Sequence, residues 1–515
     1  AYIIPSVDQH QSEYIADRDQ RLKFVSNFSG SRGLAVVTSN QAALWTDGRY
    51  FLQAEKQLDP NLWTLMKEGQ PETPTVAEFL KKNLPGGSRV GLDAKLATYA
   101  FYEDLRRNIL SGKLTISTPE KNFVDEIWAH EQPPMPKNPL IILPLNYTAV
   151  EILPYNDFYS NLTSIIDRFL SQENDNSTSN KNTTENTLIW TPSNSANFAI
   201  WAMVKNESRR CDKMSPVQML KAIKNPTELA GITNAQIKDG VAHCQFFHWL
   251  ENQMSSLEQT NATNNETADI QLNEIGVDEK FQYFRSKQQD FMGLSFDTIS
   301  AVGSNSAIIH YKPTVESNTE LSRGQLYLVD SGSQFKDGTT DITRTISFDE
   351  PSDYEKECFT RVLKGHINLA KLKFPEGTNG FLIDSAARTA LWDVGLDYLH
   401  GTGHGVGHFL NVHEGPAGLG TRASQYTDGF KENMIMTIEP GYYEDGKFGI
   451  RIESDFVIKA VETKYKFKDK KMLTFEPLTL VPIQLRMIDV SLLDASEKEW
   501  LNNYHKKCLD VLGPI

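Results

Sequence analysis

Four acidic residues of the C-terminal half lie in or beside apolar, β-prone runs, where a lone carboxylate is costly to bury. They are Asp330 in LYLVD, Asp341 in GTTDITRT, Glu439 in MIMTIE and Glu453 in GIRIESD. One strand-end carboxylate is usually solvated or caps a backbone group. Several carboxylates in one low-dielectric site need cations to neutralise them. The four together therefore indicate a site for divalent metal ions.

The spacing of Glu439 and Glu453 fits a β-hairpin. Both are equally distant from Gly446, which lies in the turn-like segment 444–447. A regular hairpin centred there would place the two carboxylates directly opposite each other, with Cα atoms about 5 Å apart. Arg451 shares a strand face with Glu453, because side chains alternate along a strand.

The spacing of Asp330 and Asp341 is less simple, because the pair is symmetric about Phe335-Lys336. A tight turn at Asp337-Gly338 would stagger the two carboxylates by about 13 Å, which is too far for both to bind the same pair of metal ions. We therefore expect a wider or bulged connection between their strands.

A cluster of histidines lies in HGTGHGVGHFLNVHEGP, at His400, His404, His408 and His413. Glycine at 401, 403, 405 and 407 argues against a helix, so these are not i, i+4 ligands. The glycines are not a dinucleotide fingerprint, because no strand–turn–helix unit surrounds them. A Gly-rich loop with scattered imidazoles is the alternative. His310, in AIIHY, is on its own more often a core residue than a catalytic one.

One histidine with four carboxylates is a set of mostly hard oxygen ligands. It favours Mn²⁺, Mg²⁺ or a similar ion over a thiolate zinc site. Two adjacent ions suit hydrolysis, because they activate a bridging water and hold the carbonyl oxygen. The sequence contains no GxSxG motif and no P-loop that would indicate another chemistry.

Composition limits the class of protein. The chain has 515 residues, a formal net charge of −14 and 39% hydrophobic residues, and its apolar runs are too short to span a bilayer. These values predict a soluble globular protein with no transmembrane segment and no nucleic-acid partner. Four widely spaced cysteines predict free thiols and a cytoplasmic location. A secreted or membrane-anchored form is the alternative, since the sequence starts at Ala1 and a targeting segment can have been removed.

The order of predicted elements indicates three domains. Residues 1–125 alternate short strands and helices, including a hairpin at 34–46, and predict an α/β domain. Residues 126–215 carry a prolyl linker, a strand at 140–143, a helix near 162–170 and the polar tract 172–187, which predicts a surface loop like the tract 260–267. Residues 216–515 alternate long helices with antiparallel hairpins, which predicts an α+β domain.

Several segments together resemble the eukaryotic Xaa-Pro aminopeptidases (aminopeptidase P), metallopeptidases with the pita-bread fold. The segments are DSGSQFKDGTTDITRT, HGTGHGVGHFLNVHEGP, TIEPGYYEDGKFGIRIE and LTFEPLTLVPIQ. AYIIPSVDQHQSEYIADRDQR and LWTDGRYF resemble the family's first, creatinase-like domain. The likeness covers residues 1 to about 135 and 210 to 513.

The resemblance implies a role for each matching residue. It implies that two Mn²⁺ ions, or other divalent ions, are held by Asp330, Asp341, His404, Glu439 and Glu453, with Asp341 and Glu453 bridging. His310 and His413 match substrate-contacting histidines, and with Glu439 they would be catalytic. Arg49 matches a substrate-binding arginine of the first domain. His400, Tyr443 and Arg451 match substrate-side positions beside the ligands, whereas His408 has no assigned role.

The implied activity is hydrolysis of the bond between an N-terminal residue and a following proline in short peptides, by a homodimer. That bond is a tertiary amide without an N–H. A hydroxide bridging the metal ions would attack, Glu439 could move the proton, and His310 or His413 could stabilise the oxyanion. The alternatives are a prolidase limited to dipeptides and a catalytically inactive pita-bread module that binds peptides. The middle domain is shorter than in the family.

Overall fold

The computed structural model describes residues 1–135, 153–175, 188–259, 271–423 and 429–515. The chain forms two compact units, Ala1–Ser215 and Pro216–Ile515. The predicted strand 140–143, the tract 260–267 and residues 176–187 of the longer tract lie outside the described residues. The first four residues of that tract are not a loop, because a helix continues to Asp175.

The first unit is built on a six-stranded mixed sheet with the strand order β4-β3-β2-β1-β5-β6. Its strands are β1 (Tyr2–Pro5), β2 (Leu34–Val37), β3 (Ala42–Thr46), β4 (Trp63–Lys67), β5 (Arg89–Leu92), β6 (Thr115–Ser117), and the separate pair β7 (Ile189–Trp190) and β8 (Arg210–Cys211). Its helices are α1 (Arg21–Ser26), α2 (Phe51–Gln57), α3 (Val76–Asn83), α4 (Tyr99–Ile109), α5 (Phe123–Trp128), α6 (Phe158–Asp175) and α7 (Phe198–Trp201). The predicted hairpin is confirmed as the antiparallel pair β2–β3.

The second unit combines short antiparallel sheets with long helices. Its helices are α8 (Pro216–Ala222), α9 (Pro226–Gln259), α10 (Glu274–Ser286), α11 (Asp353–Ala370), α12 (Ser385–Trp392) and α13 (Ala495–Leu512). Its strands are β9 (Phe291–Leu294), β10 (Ile299–Val302), β11 (Tyr327–Ser331), β12 (Ser333–Phe335), β13 (Gly338–Thr339), β14 (Ile342–Ile346), β15 (Lys373–Pro375), β16 (Gly403–His404), β17 (Gly418–Leu419), β18 (Ile435–Ile438), β19 (Gly441–Glu444), β20 (Phe448–Arg451), β21 (Ser454–Ala460) and β22 (Met472–Pro477).

Helix α11 shows how the sequence sets these elements. Ser352 accepts from the backbone N–H of Glu355, whose carboxylate accepts from Ser352 in return, and this capping box fixes the helix start. The inward face of α11, which includes Cys358 and Leu363, is fully buried in the largest core cluster of the unit. All four cysteines are free, as predicted, and two of them are buried.

The hairpin register around Gly446 agrees with the prediction. Strand β19 pairs with β20 so that Gly441 faces Arg451, and β18 pairs with β21 so that Ile438 faces Ser454. Glu439 and Glu453 lie between these two paired segments. Both segments have the same register, so the two glutamates lie across from each other.

The predicted connection between Asp330 and Asp341 is wrong. The turn is tight and consists of Lys336 and Asp337, with Phe335 opposite Gly338. Asp330 faces Thr343, two residues beyond Asp341. The turn lies one residue earlier than assumed, which shortens the stagger to two residues and puts both carboxylates on one face. No bulge is needed to bring them together.

Candidate metal centre

The second unit brings six potential ligands together. Five of them are the residues predicted as metal ligands, and the sixth is His413. Their ligand atoms form three overlapping groups, and the atoms of each group lie within 4.8 Å of one another. The groups are Asp330, Asp341 and Glu453; His404, Glu439 and Glu453; and Asp341, His404 and His413. The residues predicted as metal ligands from sequence thus converge on one small site, although they are up to 123 positions apart in the chain.

His404 is oriented by the carbonyl next to it. Its Nδ1 lies 2.8 Å from the oxygen of Gly405, and because a carbonyl only accepts, Nδ1 carries the proton. The lone pair of Nε2 then points into the site, 3.2 Å from Asp341 Oδ2 and 3.7 Å from Glu439 Oε1. This tautomer is the one that can bind a cation through Nε2.

The glycines around His404 allow this close packing. A Cβ atom at Gly403 would lie 2.0 Å from the carbonyl oxygen of Thr437, and one at Gly405 would lie 2.1 Å from that of Glu414. Strand β16 therefore lies against β18 without side chains between them. Glycine is therefore required at 403 and 405 by the close approach of neighbouring backbones. The imidazoles of His404 and His413 are not scattered, because their ring centroids lie 4.1 Å apart.

Burial and like charge act on the carboxylates in the same direction. Burial, followed by the negative charges of Asp330 and Asp455, raises the pKa of Asp341 well above its usual value. Burial and then Asp341 do the same for the pKa of Glu453, and burial raises the pKa of Glu439. Such a cluster is unfavourable when ionised unless positive charge enters it.

Arg451 supplies one positive charge. Its Nη2 donates to Asp330 Oδ2 across 2.6 Å and its Nη1 donates to the hydroxyl of Tyr443 across 2.7 Å. The Tyr443 hydroxyl in turn donates to Nε2 of His400 across 2.9 Å, since Nδ1 of that ring donates to the oxygen of Gly401. One directed chain of hydrogen bonds thus runs from Arg451 to His400.

The donor set fits a pair of divalent cations. One arginine cannot neutralise four carboxylates, and Oδ1 of Asp330 is buried with no hydrogen-bond partner among the described residues. Carboxylate oxygens with one imidazole suit Mn²⁺, Mg²⁺ or similar ions. A pair of cations would neutralise the excess negative charge and give Oδ1 of Asp330 a partner.

The structure places the other predicted site residues as follows. The ring centroids of His413 and His404 lie 4.1 Å apart, so His413 borders the predicted metal ligands. His310 is half-buried. Arg451 donates to the carbonyl oxygen of the preceding residue, Ile309. Arg49 lies in the first unit, where it is paired with Asp47 and Glu13.

Three residues at the centre were not predicted. Thr343 donates to Glu453 Oε2 across 2.6 Å, and Asp455 accepts from the backbone N–H of Asp341 across 3.1 Å. Glu414 donates its backbone N–H to Gly405, the carbonyl that orients His404, and its side chain is held by buried Lys224 at 2.6 Å. Asp455 had a detectable signal, because it is an acidic residue only two positions after the predicted ligand Glu453.

Three family models match the chain. Metallopeptidase family M24 matches residues 230–460, the C-terminal region of that family's peptidases matches 471–515, and the creatinase/prolidase N-terminal domain matches 8–125. In the described part of the chain, no helix combines the length and the apolar character needed to cross a membrane.

Whole-length relatives match as well. Xaa-Pro aminopeptidase ApepP of Drosophila melanogaster is 40% identical over 580 residues, covering 100% of this chain and 92% of its own length. Aminopeptidase P1 of Arabidopsis thaliana is 36% identical and covers 100% and 94%. The 580 aligned positions exceed the 515 residues of this chain, so this chain lacks residues that the Drosophila relative carries.

A solved structure shares the fold over the whole chain. The X-prolyl aminopeptidase of Caenorhabditis elegans, described as a cytosolic enzyme with a di-nuclear active site, superposes with a TM-score of 0.89 at 35% identity, covering 100% of this chain and 92% of its own. The chain belongs to metallopeptidase family M24, and within it to the Xaa-Pro aminopeptidases of eukaryotes. It has the α+β organisation of that group, with a creatinase-type N-terminal domain before a pita-bread catalytic domain.

Proposed function

We propose that this protein is an Xaa-Pro aminopeptidase that releases the N-terminal residue from peptides with proline at the second position. The observation that carries the proposal is the convergence of Asp330, Asp341, His404, Glu439 and Glu453 on one buried site. Whole-length identity to enzymes named for this activity supports the same conclusion.

We further propose two Mn²⁺ ions as the cofactor, held by these five residues, with Asp341 and Glu453 bridging. When bound, the pair would supply a bridging hydroxide as nucleophile and a Lewis acid for the scissile carbonyl. The hard oxygen ligands support this choice of metal. The C. elegans relative's di-nuclear site supports the number of ions.

The remaining roles follow from where charge and protons must go. Glu439, whose pKa is raised by burial, would hold the proton taken from the nucleophile and pass it to the prolyl nitrogen. His413, beside the ligands, and His310 would stabilise the oxyanion. The directed chain from Arg451 through Tyr443 to His400 would keep the substrate side of the site positively polarised.

Other parts of the proposal extend beyond the metal site. Arg49 would bind the substrate, and the described pairing with Asp47 would hold its guanidinium in one orientation. We also propose a homodimer located in the cytoplasm, in which residues 126–215 form a shortened middle domain. Free cysteines agree with a reducing compartment.

The direct test is hydrolysis of Arg-Pro-Pro by chelated protein with and without added Mn²⁺. We expect release of arginine only with the metal, and its near-complete loss in Asp341→Asn. Turnover of the dipeptide Arg-Pro in place of the tripeptide would favour a prolidase. Binding of the tripeptide without turnover, in protein shown to hold metal, would favour a peptide-binding module and would contradict the proposal.

A further inference from the structure

Three fully buried side chains behind the metal ligands form a closed ring of hydrogen bonds. Gln236 on α9 donates to Asp455 Oδ2, and Thr479 donates to Gln236 Oε1 across 2.9 Å. The ring closes where the backbone N–H of Asp455 donates to the Thr479 hydroxyl across 2.9 Å. Each hydroxyl, amide and carboxylate atom in the ring has one consistent donor or acceptor role. The ring therefore holds the Asp455 carboxylate in one orientation.

The ring contacts the metal site through one hydrogen bond. Oδ2 of Asp455 also accepts from the backbone N–H of Asp341 across 3.1 Å. Asp455 lies in β21, two residues after Glu453, which directly precedes that strand. One carboxylate thereby fixes the backbone of Asp341 relative to the segment that carries Glu453. These are the two ligands proposed to bridge the cations.

Asp455 is also a buried carboxyl group beside the site to which the proposed function gives no role. It is 0% exposed, and its Oδ1 has no hydrogen-bond partner among the described residues. Its Oδ2 lies 3.1 Å from the backbone nitrogen of Asp341, so the carboxyl groups of these two residues are close neighbours. A fifth buried carboxylate near four others is unfavourable in the metal-free protein, and it becomes favourable only when cations are present.

We propose that Asp455 is a positioning residue for the metal pair: it anchors Asp341 through its backbone and adds a negative charge that strengthens binding of the cations. This inference rests on the proposed two-metal centre. It predicts opposite effects of the Asp455 charge on two forms of the protein. The charge should stabilise the metal-loaded protein and destabilise the metal-free protein. A residue that only supports the fold would stabilise both forms.

The experiment is calorimetric titration of Mn²⁺ into chelated Asp455→Asn and wild-type protein, with melting curves of both metal-free proteins at about pH 8. The asparagine keeps the shape and can keep the acceptor atom at the Oδ2 position, but it removes the charge. We expect weaker binding by about 10- to 100-fold for at least one ion. We expect the metal-free variant to melt at the same or a higher temperature than metal-free wild type.

A second pair of variants separates the anchor from the charge. Thr479→Val opens the ring but leaves the Asp455 charge, so it should weaken Mn²⁺ binding by a smaller factor. Thr360→Val is the matched control, because this fully buried hydroxyl bonds to Lys356 and Asp489 and not to the ring. It should leave Mn²⁺ binding unchanged.

The outcomes are distinct. Two Mn²⁺ ions bound equally well by wild type and Asp455→Asn would overturn the inference and leave the proposed function intact. Weaker binding together with a lower melting temperature of the metal-free variant would also overturn it, in favour of a role in the fold. A wild-type protein that binds no Mn²⁺ would overturn both the proposed function and the inference.

Discussion

Arg451 and Asp330 form a buried ion pair in which Nη2 and Oδ2 lie 2.6 Å apart. The side chain of Arg451 is 2% exposed, so the pair is shielded from solvent. The pair joins β20 to β11. Asp330 is itself one of the proposed metal ligands, and Glu453, another of them, follows Arg451 by two residues. The arginine thus takes part in both the stability of the fold and the charge of the site.

Replacing this arginine should destabilise the metal-free protein more than the loaded protein. Arg451→Met leaves Asp330 as an unpaired buried carboxylate, which costs about 3–5 kcal/mol. Bound Mn²⁺ would supply the missing positive charge, so we expect the loss in melting temperature to be smaller with Mn²⁺ present. Arg451→Lys, which keeps the charge, is the control. Equal losses with and without metal would contradict this account.

Removing the Tyr443 hydroxyl should affect catalysis more than stability. Tyr443→Phe breaks the chain between Arg451 and His400, and we expect kcat for Arg-Pro-Pro to fall by about 10- to 100-fold. The free energy of unfolding should fall by only about 1 kcal/mol.

The neighbouring Tyr442 is the matched control. It points to the opposite face of β19, where its hydroxyl contacts Tyr354 and Glu444. Tyr442→Phe should therefore leave kcat unchanged. If the two variants lose activity equally, the directed chain has no special role.

A methyl group at Gly403 should disrupt the site through the backbone. Gly403→Ala would place Cβ 2.0 Å from the carbonyl oxygen of Thr437, so β16 must move away from β18. We expect a loss of about 1–3 kcal/mol in the free energy of unfolding and weaker Mn²⁺ binding, because His404 moves with the strand. Gly324→Ala is the control, since nothing lies within 4 Å of its Cβ position. It should change neither quantity.

His366 should make the second unit sensitive to acid. Burial, and then the charge of Arg344, lowers the pKa of this fully buried imidazole to about 3. The unfolded chain takes up a proton near pH 6.5, whereas the folded protein does so only near pH 3. Stability from the neutral ring is therefore present above pH 6.5 and is lost as the pH falls.

The measurement compares wild type with His366→Leu in denaturant titrations at several pH values. Relative to the variant, wild type should lose about 1.4 kcal/mol per pH unit between about pH 6.5 and pH 3. Parallel losses in the two proteins would mean that other groups dominate the acid transition.

The sequence predicted part of this site, and the reason lies in turn chemistry. Gly446 has φ of 73° and fixes the turn between β19 and β20, so the register of Glu439 and Glu453 could be derived. The turn at Lys336-Asp337 has no such residue, so its position was misjudged by one residue and the stagger of Asp330 and Asp341 by two. Chain pattern alone does not identify the start of such a turn.

Asp455 shows a second limit of sequence reasoning. Its two-residue spacing from Glu453 hints that it lies near the site, but nothing in the pattern GIRIESDF shows that Gln236 and Thr479 bury it. Such partners come from α9 and from the segment after β22, more than 200 and more than 20 residues away. Tertiary packing, and not the local pattern, decides the role of this carboxylate.

The hairpin that carries Glu439 and Glu453 also limits how its turn can evolve. Side chains alternate along both strands, so deleting or inserting one residue near Gly446 would slip the register and send one carboxylate to the opposite face. Substitutions in segment 444–447 that keep the turn shape leave the ligands in place. Divergence of this turn should therefore occur by exchange of residues at constant length. This limit applies although none of the turn residues is paired with Glu439 or Glu453.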